Sequence, residues 1–222
     1  VSRPRTLLSW SSGKDSAFAL AELRAAGDVD VVGLVTTVNA GAQRVAMHAV
    51  REQLLDLQAA AVGLPVRKVS IPWPCPDDVY ETAMAEAVAE ARDQGVTHMA
   101  FGDLFLADIR AYREERLSGT GITPMFPLWG RDTHTLAREM VAAGLRATLT
   151  CVDPAQLDRR HAGQSFDAAL LDSLPPGCDP CGERGEFHTF AWDGPCFSRP
   201  VPVTVGEVVE RDGFVFADVL PA

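Results

Sequence analysis

Short continuous apolar runs alternate along the chain with longer stretches in which apolar residues return every third or fourth position. The short runs fall at residues 6–10, 30–38, 66–71, 96–101, 123–128 and 146–152. A continuous apolar run of this kind suits a strand buried on both faces. The longer stretches cover 17–26, 47–62, 77–94, 108–117 and 133–143. Gly27 and Gly63 supply stop signals for the first two, and Asp77 is the expected N-cap of the third. The alternation predicts an α/β fold: a Rossmann-like (HUP-type) parallel sheet with helices on both faces. Later the rhythm changes. Residues 170–202 are rich in Pro, Gly and Cys and read as loop, and 201–209 and 213–219 read as two strands joined by a turn at 210–212. A soft domain boundary is placed near residue 122. It leaves a sheet domain, 1–122, and a smaller α+β domain, 123–222, that closes over it.

Composition narrows the classes. Among 222 residues, 47% are hydrophobic and 23% charged, enough apolar side chain for a core and too much for disorder. No apolar run approaches the ~18 residues of a membrane helix, and no signal peptide is evident at the start. The five cysteines then read as reduced thiols, and the expected location is cytoplasmic. Twenty basic against thirty acidic residues give a net charge of −10. That argues against broad binding to a nucleic-acid backbone.

The chemistry starts at the first turn. The run at 6–10 stops at Ser11, Ser12, Gly13, Lys14, Asp15 and Ser16, and a helix follows. A small-residue turn that opens a helix aims backbone N–H groups and the positive end of the helix dipole at one point, which makes an anion cradle. The serines add hydroxyl donors and Lys14 adds charge. Asp15 beside a phosphate is repelled unless a cation lies between them, so it points to Mg²⁺ or to a helix-capping role. The spacing is neither a Walker A loop nor a Gly-x-Gly-x-x-Gly fingerprint. It resembles the Ser-Gly-Gly-x-Asp-Ser loop of the ATP pyrophosphatase superfamily, with Ser12 where that pattern commonly has Gly. The resemblance implies ATP cleaved between its α- and β-phosphates.

Further stretches resemble one family over nearly the whole chain, in order. They are Phe101-Gly102-Asp103 followed by Asp108 to Glu114, then Pro127 to Arg131, then Pro180-Cys181-Gly182-Glu183-Arg184-Gly185-Glu186-Phe187-His188-Thr189-Phe190. These resemble the diphthine–ammonia ligase family, in its short prokaryotic branch. The resemblance implies an ATP pyrophosphatase domain joined to a substrate-binding C-terminal domain. The implied reaction adenylates the carboxylate of diphthine on elongation factor 2, and ammonia then displaces AMP. It further implies ATP contacts at Ser11–Ser16, at Thr36 and Thr37 past the second strand, at His48, and at Gly102 and Asp103. Asp15, Arg110, Glu183 and Glu186 are the implied catalytic set, with Asp15 also the Mg²⁺ ligand. Arg110, Glu114, Cys181, Gly182, Glu183, Gly185, Glu186, His188 and Thr189 are the implied substrate contacts.

Each of these residues also has a plainer reading. Arg110, Arg113 and Glu114 share a helix face, where an exposed Arg–Glu pair is worth ~0.3–0.5 kcal/mol. Glu183 and Glu186, flanked by glycines, fit a solvated turn as well as Mg²⁺ binding, orientation of ammonia or proton transfer. His188 fits a base titrating near neutrality. Trp129 reads as packing. Cys178 and Cys181, with His188 and Cys196, have the residue types of a zinc site but lack a second Cys pair. Cys181 as an acyl-carrying nucleophile lacks a glutaminase triad, and Cys75 and Cys151 read as buried small hydrophobes. The Lys-poor, Ala- and Arg-rich composition points to a GC-rich, bacterial genome, in which the carboxylate would be a small molecule such as a corrinoid precursor. A non-catalytic ATP sensor and a tRNA-thiolating enzyme are the other readings. A homodimer through the apolar C-terminal tail is a further expectation.

Overall fold

The computed structural model describes residues 2–41, 44–45 and 50–222. His48 lies outside the described residues. The chain order begins β1 (Arg5–Ser9), α1 (Lys14–Ala26), β2 (Asp30–Asn39), β3 (Arg44–Val45), α2 (Glu52–Val62), β4 (Val66–Ile71), α3 (Asp77–Asp93), β5 (His98–Ala100), α4 (Ala107–Leu117) and β6 (Thr123–Met125). The parallel strands lie in the spatial order β4-β2-β1-β5-β6, with β3 antiparallel on the end of β2. The chain starts at the centre, builds outward through β2 and β4, then returns to build the other half. The reversal falls between β1 and β5, and α/β sheets bind ligands beyond the carboxyl ends of strands at such a point. β6 extends this sheet past residue 122.

The remainder is α5 (Thr133–Ala142), β7 (Arg146–Val152), a short 3-10 turn, α6 (Ala168–Ser173), β8 (Phe187–Asp193), β9 (Val203–Arg211) and β10 (Phe214–Pro221). The four strands form an antiparallel sheet in the order β8-β7-β10-β9. β8 lies inside the stretch read as loop. Its Phe187, Thr189, Phe190 and Ala191 are all buried, so no alternation marked it, and the neighbouring glycines and prolines obscured it. The hairpin β9–β10 turns at Asp212 and Gly213, both at positive φ (53° and 84°), one residue later than the expected turn. Pro76, not Asp77, is the N-cap of α3, and among the described residues no side chain caps it. Proline already lacks an N–H and holds the extended φ that a helix entry needs. Cys151 is buried as expected, whereas Cys75 is half-buried.

Alternation along β1 divides the core. Leu8 joins a large cluster that runs from α1 and α2 through Leu136, Leu149, Phe166 and Phe190 of the second unit. Leu7 packs on the opposite cluster, built from Val35, Val88, Met99, Phe101 and Leu117 under α3 and α4. Both sheets therefore contribute to the larger of the two clusters. Buried Gln58 of α2 pins the seam: its amide receives the Trp10 indole N–H (2.9 Å) and donates to the carbonyls of Ser12 (3.0 Å) and Ala191. The N–H of Ala191 in turn donates to the Ser12 carbonyl at 2.9 Å. These buried polar groups, satisfied in one place, hold the first turn against β8.

Candidate active site

The Ser11–Ser16 turn leaves β1 at the reversal point, and α1 begins at Lys14 behind an extended Gly13 with no side chain to cap it. The cap comes from far along the chain: the Thr189 hydroxyl of β8 accepts the Lys14 N–H at 3.1 Å. Ser11 and Ser16 hydroxyls meet at 3.2 Å, and Ser16 donates to the Gly13 carbonyl at 3.0 Å. Ser12 sits at φ 70°, in the left-handed region, fully buried, and its hydroxyl has no hydrogen-bond partner among the described residues. A left-handed non-glycine residue costs ~1–2 kcal/mol, and a buried unpaired hydroxyl adds ~1–3 kcal/mol. Ser12→Gly is therefore expected to raise the unfolding free energy by ~1–2 kcal/mol after the entropy cost of glycine. Urea unfolding reads this directly, and an unchanged midpoint would refute it.

Gly102 follows β5 and closes on this turn. A Cβ there would lie 3.0 Å from the Asp15 carbonyl carbon and 3.1 Å from the Ser16 nitrogen. Only a glycine lets the end of β5 approach the first turn of α1 so closely. Beside it, Asp103 receives two hydrogen bonds from Arg113 (2.6 and 3.1 Å), whose guanidinium lies 4.4 Å over Phe101.

A cleft of about 200 Å³ opens between these strand ends and the second unit. Ser11, Lys14, Asp15, Ser16, Gly102, Asp103, Cys181, Gly182, Glu183, His188 and Thr189 line it, and so does Arg113. The structure thus gathers most of the implied set in one place. Arg110 stands outside the cleft. It pairs with Glu114 at 2.8 Å, on the surface, and its guanidinium lies over Phe126 and Trp129. Thr36 and Thr37 are also outside it, and the Thr36 hydroxyl donates to the Trp10 carbonyl at 2.7 Å. Gly185 and Glu186 do not line the cleft either. Glu186 is buried and folds back into its own loop, accepting the N–H groups of Asp179 (2.9 Å) and Arg184 (3.0 Å). Buried Asp179 takes the Glu183 N–H at 2.9 Å. Asp179 and Glu186 together are the brace that presents Glu183.

Electrostatics separate the titratable groups. Burial pushes the Glu183 carboxyl up to about 7, against the Leu104 N–H that it accepts at 2.8 Å, and the Asp15 and Asp103 charges push it further. Burial also raises Asp15, which the Lys14 ammonium holds back. Burial and the Lys14 charge lower His188 to about 4, so it is neutral near pH 7 rather than poised there. Burial raises Cys178 to about 11 and Cys196 to about 12, and it raises Cys181 beyond reach of neutral pH. None is a thiolate, and only a thiolate attacks. Among the described residues no three His, Cys, Asp or Glu side chains gather as a metal cluster, so Cys178, Cys181, His188 and Cys196 are not brought together as one ligand set. Cys181 contributes its main-chain carbonyl, while its thiol faces the Thr133 carbonyl at 3.5 Å. Cys181→Ala should accordingly change kcat by less than about threefold. A loss of a hundredfold in steady-state turnover would reinstate the thiol as a participant.

Sequence reasoning passed over Asp179, Gln58 and the position of Arg113 in the cleft. A polar Gln58 on the apolar face of α2 was the available signal for the seam.

Two family models match the chain. The diphthamide synthase N-terminal domain matches residues 4–117, and the diphthamide synthase C-terminal domain matches residues 132–216. The chain belongs to the diphthamide synthase family. A Homo sapiens protein named diphthine–ammonia ligase is 28% identical over 94% of this chain and 86% of its own length. The Danio rerio protein of the same name is 28% identical over 94% of this chain and 90% of its own. A Rattus norvegicus namesake reaches 31% over 64% of this chain and 54% of its own. Membership makes the chain an enzyme, a ligase that uses ATP. No helix of the described residues is long and apolar enough to cross a membrane.

Proposed function

We propose that the enzyme adenylates a substrate carboxylate and passes the acyl group to ammonia, releasing AMP and pyrophosphate, with diphthine on elongation factor 2 as the substrate. The carrying observation is Glu183: a half-buried carboxyl held by the Leu104 N–H in the cleft shared by the turn after β1 and the loop before β8, where burial pushes it up to about 7. Turn and helix dipole favour an anionic triphosphate at Ser11, Gly13 and Ser16. The substrate carboxylate oxygen attacks the α-phosphorus and expels pyrophosphate, whose growing charge the backbone N–H groups of the turn stabilise. Ammonium must shed a proton to become a nucleophile, and Glu183 is the base matched to neutral pH for that step. Ammonia then attacks the acyl carbon and AMP leaves. The loop around Gly182 and Glu183 covers the acyl end and keeps water from it.

Mg²⁺ fits this donor set when it arrives on the triphosphate. Asp15, Asp103 and Glu183 leave the cleft rich in carboxylate, and Mg²⁺ takes one or two carboxylates plus phosphate oxygens rather than a full protein cage. Asp15 would hold it, and the ion would supply charge neutralisation for the departing pyrophosphate. The proposed division of the chain follows the chemistry, with nucleotide turns in the first part, near residues 1–122, and the Glu183 loop in the second, 123–222. The test is product analysis of ATP with the protein, Mg²⁺ and ammonium, with and without diphthine-bearing elongation factor 2. AMP and pyrophosphate that depend on the factor support the reading. ADP and phosphate overturn it.

A further inference from the structure

The sequence places Lys14 among phosphate ligands, and the structure turns it elsewhere. An ammonium has three protons to donate. In Lys14 they meet Asp15 Oδ1 at 2.9 Å, Asp15 Oδ2 at 2.8 Å and the carbonyl of Cys181. None is left for a phosphate. The side chain is 2% exposed, and Nζ sits 5.6 Å from the Phe166 ring centre and 5.5 Å from that of Phe187. Two aromatic faces favour a desolvated cation held between them. The same residue reaches the second unit twice, since its backbone N–H donates to Thr189 while its ammonium donates to Cys181. Cys181 lies two residues before Glu183, so the ammonium fixes the start of the loop that presents that carboxylate.

We infer that Lys14 is a positioning residue rather than a nucleotide ligand: it orients the Asp15 carboxylate and latches the Cys181–Glu183 segment over the nucleotide turn. This rests on the proposed function for its kinetic consequence, but its structural core does not. Burying an ammonium is costly unless every proton is paired, and pairing is complete only with the loop closed. The buried lysine therefore makes the closed arrangement the favoured one before any substrate arrives.

The chain has two lysines, Lys14 and Lys68, so ¹⁵N-lysine labelling of the intact protein gives two side-chain signals. Lys14 Nζ should exchange its protons slowly already in the absence of nucleotide. Exchange as fast as that of Lys68, slowed only when Mg-ATP is added, would overturn the inference. Lys14→Met removes the latch with similar bulk. Its ATP KM should rise by less than about tenfold, through the disturbed Asp15 carboxylate alone, while kcat for factor-dependent amide formation falls about 100-fold, as a displaced catalytic group predicts. Hydrogen exchange in residues 179–189 should quicken at least tenfold, with β1 and β2 unchanged. A tenfold rise in ATP KM with an unaltered 179–189 segment would make Lys14 a phosphate ligand and end the proposal. If the unaltered protein forms no factor-dependent AMP, the proposed reaction fails while the lysine signal and the exchange data still decide the latch.

Discussion

Glu183→Gln is expected to abolish amide formation while making the protein more stable above neutral pH. The amide keeps an oxygen to accept the Leu104 N–H but cannot take a proton from ammonium. Loss of a general base costs ~10²–10⁴ in rate. In the unaltered enzyme, activity should rise with pH through about 7, as the carboxyl ionises, and the variant should lose that limb. Stability runs the other way. The Glu183 carboxyl goes from 4.5 in a free side chain to about 7 in the fold, so the folded state binds the proton more tightly. That contribution is fully present below about 4.5 and is lost as pH rises through about 7. Because Glu183 is only part-buried, the cost above neutrality is discounted for solvent to ~1–2 kcal/mol. Urea unfolding at pH 5 and pH 8 checks this. Glu183→Gln should gain stability over the unaltered protein at pH 8 and gain much less at pH 5. Equal gains at both would show that the carboxyl is not held protonated by the fold.

Gly182→Ala should be the most damaging single methyl in the chain's site. Gly182 has φ 67°, and a Cβ there would lie 2.7 Å from the Phe187 carbonyl oxygen and 3.1 Å from its ring. The left-handed backbone and the clash together cost ~2–4 kcal/mol. Phe187 flanks the Lys14 ammonium, so relief by moving Phe187 opens the latch as well. Thermal unfolding should show the loss, and amide formation should fall with it. Gly185→Ala, equally left-handed at φ 86° but with nothing within 4 Å of its Cβ, should cost about 1 kcal/mol and serves as the control. Equal effects at the two sites would remove the steric argument.

These residues also show how far the sequence carries. The parallel sheet, the turn after β1 and Glu183 were legible because each depends on local pattern: period, glycine stops and a dense motif. Glu183 and Glu186 look alike in sequence, three apart between glycines. Their positions divide only when the Asp179 and Arg184 N–H groups capture Glu186 and leave Glu183 to the cleft. Arg110 and Arg113 share one broad face of α4, and the fold chooses Arg113 because Asp103 and Phe101 receive it. Lys14 follows a serine-glycine turn that reads as phosphate binding. Its direction is set by Phe166, Cys181 and Phe187, distant in the chain, which no local rule connects to it. β8 was hidden for the opposite reason. Its residues are so thoroughly buried that strand periodicity vanishes among flanking glycines and prolines.

The central claim is that a carboxylate oxygen bonds to the α-phosphorus. The most direct measurement labels the substrate carboxylate of diphthine-bearing elongation factor 2 with ¹⁸O and supplies unlabelled ATP, Mg²⁺ and ammonium. Adenylation followed by displacement leaves one labelled oxygen in the phosphate of AMP, and mass spectrometry of the AMP should find it in step with amide formed. Label in inorganic phosphate, or AMP formed without label, would contradict the account.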